Sequence, residues 1–133
     1  MSYGNAYQNY KEQSVNTMTK GEMLNLLYEE MIKRLKRAKI GAEKEDYALF
    51  DSEIKRTKEI VTYLVNSLNR KYSVSKDLLR LYDFINYELA RISASRNINI
   101  IDEVLPFIVE LRDTFKEADR IAKKTGGMTA LGG

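Results

Sequence analysis

From residue 24 onward the apolar positions recur in alternating steps of four and three. Leu24, Tyr28, Met31, Leu35, Ala38 and Ala42 make the first stripe, and Phe50, Ile54, Thr57, Val61, Leu64 and Leu68 make the second. This spacing keeps one side of an α-helix turned inward. A third run aligns Leu78, Leu81, Tyr82, Ile85, Leu89 and Ile92, and a fourth aligns Val104, Ile108, Leu111, Phe115, Ala118 and Ala122. Strand alternation is nearly absent.

The punctuation between stripes supplies the boundaries. Thr19 and Glu22 have capping-box spacing, so the first helix is expected to start there. Gly41 and the run Glu43 to Asp46 mark a corner, and the second helix is expected over 47–68. Asn69 should close it, and Ser75 should cap a third helix over 76–95. The fourth should start near Asn99 or Asp102, with Pro106 either just past a frayed first turn or bending the helix. Helices of this length joined by short corners predict an all-α fold, an antiparallel up-down-up-down four-helix bundle over 19–124. The ending 125–133, rich in glycine, is expected to be a disordered tail.

Residues 1–18 are expected to form a separate arm. Tyr3, Tyr7 and Tyr10 fall at i, i+4 and i+7, on one face of a short helix, and the polar residues Ser14, Asn16 and Thr17 follow as a turn. The arm is expected to pack on the bundle. Tyrosine suits a cover that must come off, because its ring packs while its hydroxyl tolerates water.

Composition narrows the chemistry. The chain has 133 residues with no His and no Cys, which removes the usual metal ligands, the readiest nucleophile and the best proton shuttle near pH 7. A di-iron bundle needs Glu-x-x-His pairs, so no metal or other cofactor is expected. Asp102 and Glu103 fall in a helix's first turn, where acids complement the dipole, and catalysis is not expected. No apolar run reaches the ~20 residues of a membrane span, and no signal peptide is seen, which points to the cytoplasm without membrane insertion. The net charge is only +3, and the basic run Lys33 to Lys39 is interleaved with Glu29, Glu30 and Glu43. That pattern reads as a solvated face and argues against nucleic acid.

The apolar inventory exceeds what four stripes need. Met23, Leu26, Leu27, Ile60, Val65, Phe84, Tyr87, Leu105 and Phe107 lie on the flanks or beyond them. Surplus of this kind either widens the core or marks a partner surface. The candidate partner-binding residues are Tyr7, Tyr10, Met23, Leu27, Ile60, Leu64, Phe84 and Tyr87. A self-associating structural bundle that buries these flanks against its own copies is the alternative, and a homodimer of the free protein stays open.

The segments Asn5 to Leu24, "LLYEEMI" (Leu26 to Ile32), "SLNRKYSVS" (Ser67 to Ser75), "LYDFINYEL" (Leu81 to Leu89) and "ELRDTFKEA" (Glu110 to Ala118) together resemble the flagellin-specific export chaperones, the FliS family. The resemblance spans nearly the whole chain. It implies a helical bundle carrying an N-terminal segment, which binds the C-terminal segment of unpolymerised flagellin, prevents premature polymerisation and escorts it to the export gate of the flagellar type III system. Tyr7 and Tyr10 match the tyrosines of the family's N-terminal motif; Tyr28, Leu81, Tyr82 and Leu89 match apolar motif positions whose place on the stripes favours a structural role. Many members of the resembling family carry proline where this chain has Lys20, and with Gly21 next the helix start is expected to be looser here.

Overall fold

The computed structural model describes residues 19–124. Four helices fill that span: α1 (Lys20–Glu43), α2 (Tyr47–Asn66), α3 (Val74–Ser95) and α4 (Ile98–Lys124). The arm over 1–18, with Tyr3, Tyr7 and Tyr10, and the tail over 125–133 lie outside the described residues. α1 packs against α2 and α4, and α3 packs against the same two, so the chain closes an all-α bundle around one core. No described helix is long and apolar enough to cross a membrane.

The stripes are where the periodicity puts them. Tyr28, Met31, Leu35, Ala38, Phe50, Ile54, Val61, Leu64, Tyr82, Ile85, Leu89, Ile92, Val104 and Ile108 are all buried in the core. Full burial of each large side chain stabilises by about 1.5–3 kcal/mol relative to exposure, and this set closes the bundle. Thr57 sits on the same inner face, its hydroxyl donating to the Glu53 carbonyl at 2.8 Å. Buried Glu53 is met by Arg34 at 3.3 Å and Arg37 at 3.7 Å, which tie α1 to α2.

Ion pairs fix how the helix ends meet. Lys39 near the end of α1 pairs with Asp102 near the start of α4 at 2.8 Å, while Lys123 at the other end of α4 pairs with Glu22 at the start of α1 at 2.6 Å. Arg96, just past α3, reaches Asp51 on α2 at 3.1 Å and lies 4.4 Å from the centre of the Tyr47 ring. These contacts hold Arg96 in a left-handed backbone, φ 55°, which costs a non-glycine residue energy that the surroundings must offset.

The capping box is present: the Glu22 amide donates to the Thr19 hydroxyl at 3.1 Å, and the Thr19 amide to the Glu22 carboxylate at 3.4 Å. Two boundaries differ from expectation, the end of α2 and the start of α3, while α4 starts next to the expected Asn99. α2 stops at Asn66, where the Ser67 hydroxyl donates to the Leu64 carbonyl, and Asn69 instead organises the corner by accepting from the Lys71 amide. α3 begins two residues early at Val74, because a turn from Tyr72 back to Asn69 already winds the chain; Ser75 is therefore buried within the helix and does not cap it. α4 begins at Ile98, with the Asn97 side chain accepting from the Asn99 amide, so Pro106 lies two turns inside the helix.

The fourth stripe also departs from expectation after Phe115. Ala118 is exposed and Asp119 is buried in its place. The cause is Gly21: α1 approaches α4 so closely there that a Cβ on Gly21 would overlap the Asp119 carboxylate. Lys123 meets that carboxylate at 3.2 Å. Replacing Gly21 by Ala is therefore expected to lower stability by about 1–2 kcal/mol in urea denaturation, although the same change at an open helical site stabilises.

Candidate functional site

At the end of the bundle where α1 begins, three helices leave an apolar groove of about 260 Å³. Met23, Leu24 and Leu27 line it from α1, Tyr63 and Leu64 with the following Ser67 and Leu68 from the end of α2, and Leu78 and Tyr82 from α3. Thr19 and Lys20 complete the rim. α1 contributes Met23 and Leu27 from the flank of its inward stripe, and Leu24 from the stripe's own first turn. Half-buried Met23 supplies an unbranched thioether that conforms to irregular shapes.

Below these residues the site is stiff. Tyr82 is fully buried and its hydroxyl lies 2.6 Å from that of Tyr28, so one donates to the other across the bundle from α3 to α1. Tyr28 in turn stacks on Phe115 of α4, ring centres 5.9 Å apart. Burial pushes both hydroxyls above the ordinary tyrosine range, Tyr28 far above it with help from its neighbour Tyr82, while at Tyr82 the hydrogen bond with Tyr28 opposes the shift. Both remain protonated and uncharged at neutral pH, so the floor presents rings with no charge to recognise or repel.

Of the residues expected from sequence, Met23, Leu27 and Leu64 come together here. Ile60, one turn before Leu64, is half-buried against the core and outside the lining. Phe84 and Tyr87 occupy a different face of α3. Phe84 meets Phe107 of α4 edge-on at 5.2 Å, and Tyr87 carries the Arg91 guanidinium 5.9 Å from its ring centre. Tyr7 and Tyr10 lie outside the described residues. Tyr63, 53% exposed at the groove, is the residue the periodicity passes over. Its signal was an aromatic beside the inward Leu64 on an otherwise polar flank.

A groove with apolar walls, a neutral floor and one open side is the surface into which an amphipathic helix lays its apolar face. Fold and groove together define a small helical bundle suited to holding a peptide segment. The family model described as "Flagellar protein FliS" matches residues 3–122, and the chain belongs to that family of flagellar chaperones, which are not enzymes. Among curated relatives it is similar to the "Flagellar secretion chaperone FliS" of Bacillus subtilis (strain 168), 27% identical over 124 residues that span 93% of each chain.

The tyrosine pair yields a paired test. Tyr28→Phe alone strands the Tyr82 hydroxyl in the core and is expected to cost about 1–3 kcal/mol, whereas Tyr28→Phe with Tyr82→Phe should cost clearly less than two such losses. The pH dependence follows from the raised values. Above the unfolded tyrosine value near 10 the folded chain binds more protons than the unfolded one, so stability present below that pH falls as pH rises. Denaturation followed from pH 8 to 11 should show this alkaline loss, shallower in the double phenylalanine variant.

Proposed function

We propose that the chain is a cytoplasmic holding chaperone that binds the C-terminal helical segment of unpolymerised flagellin, prevents its premature polymerisation and delivers it to the flagellar export gate. The groove between α1, α2 and α3 receives the client. Residues 1–18 cover that groove until flagellin replaces them, with Tyr7 and Tyr10 as the removable contacts.

The observation that carries this reading is the join between arm and groove: Thr19 and Lys20, the first described residues, stand on the groove's own rim. An apolar cleft beside a tethered tyrosine segment is suited to exchange. A client helix that makes about five apolar contacts of ~2 kcal/mol each gains ~10 kcal/mol gross, from which association and ordering costs must be met. Wrapping additional disordered client adds area at further ordering cost. The pieces need no nucleotide or metal.

A second reading, the self-associating bundle, is favoured only by the exposure of Phe84 and Tyr87 on α3. Sedimentation of the free protein over a range of concentrations distinguishes the two, since self-association predicts a rising mass without client.

Calorimetry with a flagellin C-terminal peptide tests the first reading. Met23→Glu places a charge on the groove wall and should weaken binding at least about tenfold. Tyr7→Ala with Tyr10→Ala should tighten binding several-fold, with helical content by circular dichroism unchanged. If neither variant moves the affinity, the groove and its cover are not the client site.

A further inference from the structure

We propose that a second groove, between α1 and α4, is an interaction surface for a cationic amphipathic helix of another protein. It is open, about 550 Å³, and lies at the level of Lys36 on α1 and residues 102 to 114 on α4. Lys36 is sixteen residues beyond Lys20, roughly 24 Å along α1, so this groove is separate from the one described above.

Its floor is apolar and its rim is acidic. Half-buried Leu105 and Val109, with exposed Pro106, form the floor. Asp102, Glu110 and Asp113 stand around it against the single cation Lys36. On α4 the outward positions Glu103, Pro106, Glu110, Asp113 and Glu117 follow steps of three and four, so the carboxylates form one ridge beside the floor. Asp102 is engaged by Lys39, and Asp113 by its sequence neighbour Arg112 at 3.1 Å. Glu103 and Glu110 make no ion pair among the described residues. With Lys39 and Arg112 taken up by Asp102 and Asp113, Glu103 and Glu110 are the carboxylates left to a docking partner.

The geometry states what the occupant must carry. Glu103 and Glu110 are two helical turns apart, about 10.5 Å, so a docking helix matches them with Lys or Arg at i and i+7 and fills the floor with the apolar residues between. The chain's own terminal segments do not qualify: residues 1–18 hold one lysine beside one glutamate, and 125–133 hold no charged side chain. Rim charges of this kind steer encounter and set salt dependence more than they set affinity.

The test uses a synthetic amphipathic peptide with arginines seven residues apart bordering a leucine stripe, titrated by fluorescence anisotropy. Saturable binding that weakens as salt rises is expected, and Glu110→Lys with Asp113→Lys should reduce it at least about tenfold. Both positions are exposed, and circular dichroism checks that the variant folds. The Met23→Glu variant should bind the peptide as the parent does, which separates this surface from the flagellin groove. Absence of saturable binding, or binding indifferent to the charge reversal, would overturn the proposal. So would self-association of the parent that the charge reversal abolishes without any peptide binding, because a second copy would then be the occupant.

Discussion

One buried hydrogen bond organises the bundle. The Tyr28 and Tyr82 hydroxyls join α1 to α3, helices that otherwise meet through α2 and α4, and a polar bond in an apolar interior tolerates little displacement. Apolar packing alone is permissive about register, since leucines exchange neighbours at small cost. A hydroxyl pair is not permissive, because a shift of either helix strands a buried polar group. With Phe115 stacked behind Tyr28, three of the four helices are registered through two tyrosines. Tyr82 also lines the groove, so the same bond that registers the core makes the groove's base rigid.

The ends of α1 show a complementary device. Gly21 lets α1 approach α4, and the capping box at Thr19 and Glu22 sets the direction in which the chain enters the helix. Glu22 serves both: its carboxylate takes the Lys123 ammonium and the Thr19 amide, which in that order lower its pKa from the ordinary carboxylate value. The entry of α1 is thereby pinned to the end of α4 on one side, while its other side remains open over the groove. The helix start at Lys20 is secured by the side-chain contacts of Thr19 and Glu22.

Periodicity made most of this readable, because a helix with an inward stripe has few ways to bury it. The stripe residues of α1, α2 and α3 needed no tertiary knowledge. Asp119 did, since its burial depends on a glycine about a hundred residues away, and a period that continued through Ala118 looked equally regular. The corner at Asn69 to Ser75 misled for a local reason: several residues there can cap, and backbone turns settled which one did. Half of the candidate site had the same character. Met23, Leu27 and Leu64 converge because flanks of adjacent helices meet at one end, whereas Phe84 and Tyr87, equally apolar in sequence, sit on a face that only the α3 and α4 packing determines. A surplus of apolar residues can be counted in a sequence; its division into separate surfaces cannot.

That division has a physical consequence for selectivity. The groove at the start of α1 is walled by Met, Leu and Tyr, with Lys20 as its one charged lining residue, so it discriminates by shape and apolar area. The groove between α1 and α4 is rimmed by carboxylates, whose pull on a cationic segment is screened by salt. The two proposed occupants sit on separate faces and are selected by different means, the first by apolar shape and the second by charge. Among its lining residues the first groove offers a cation no carboxylate and only the like-charged Lys20, and the second offers an acidic segment a ridge of like charge. The two faces differ because α1 presents apolar flanks at its start while α4 carries its acids on the outward ridge.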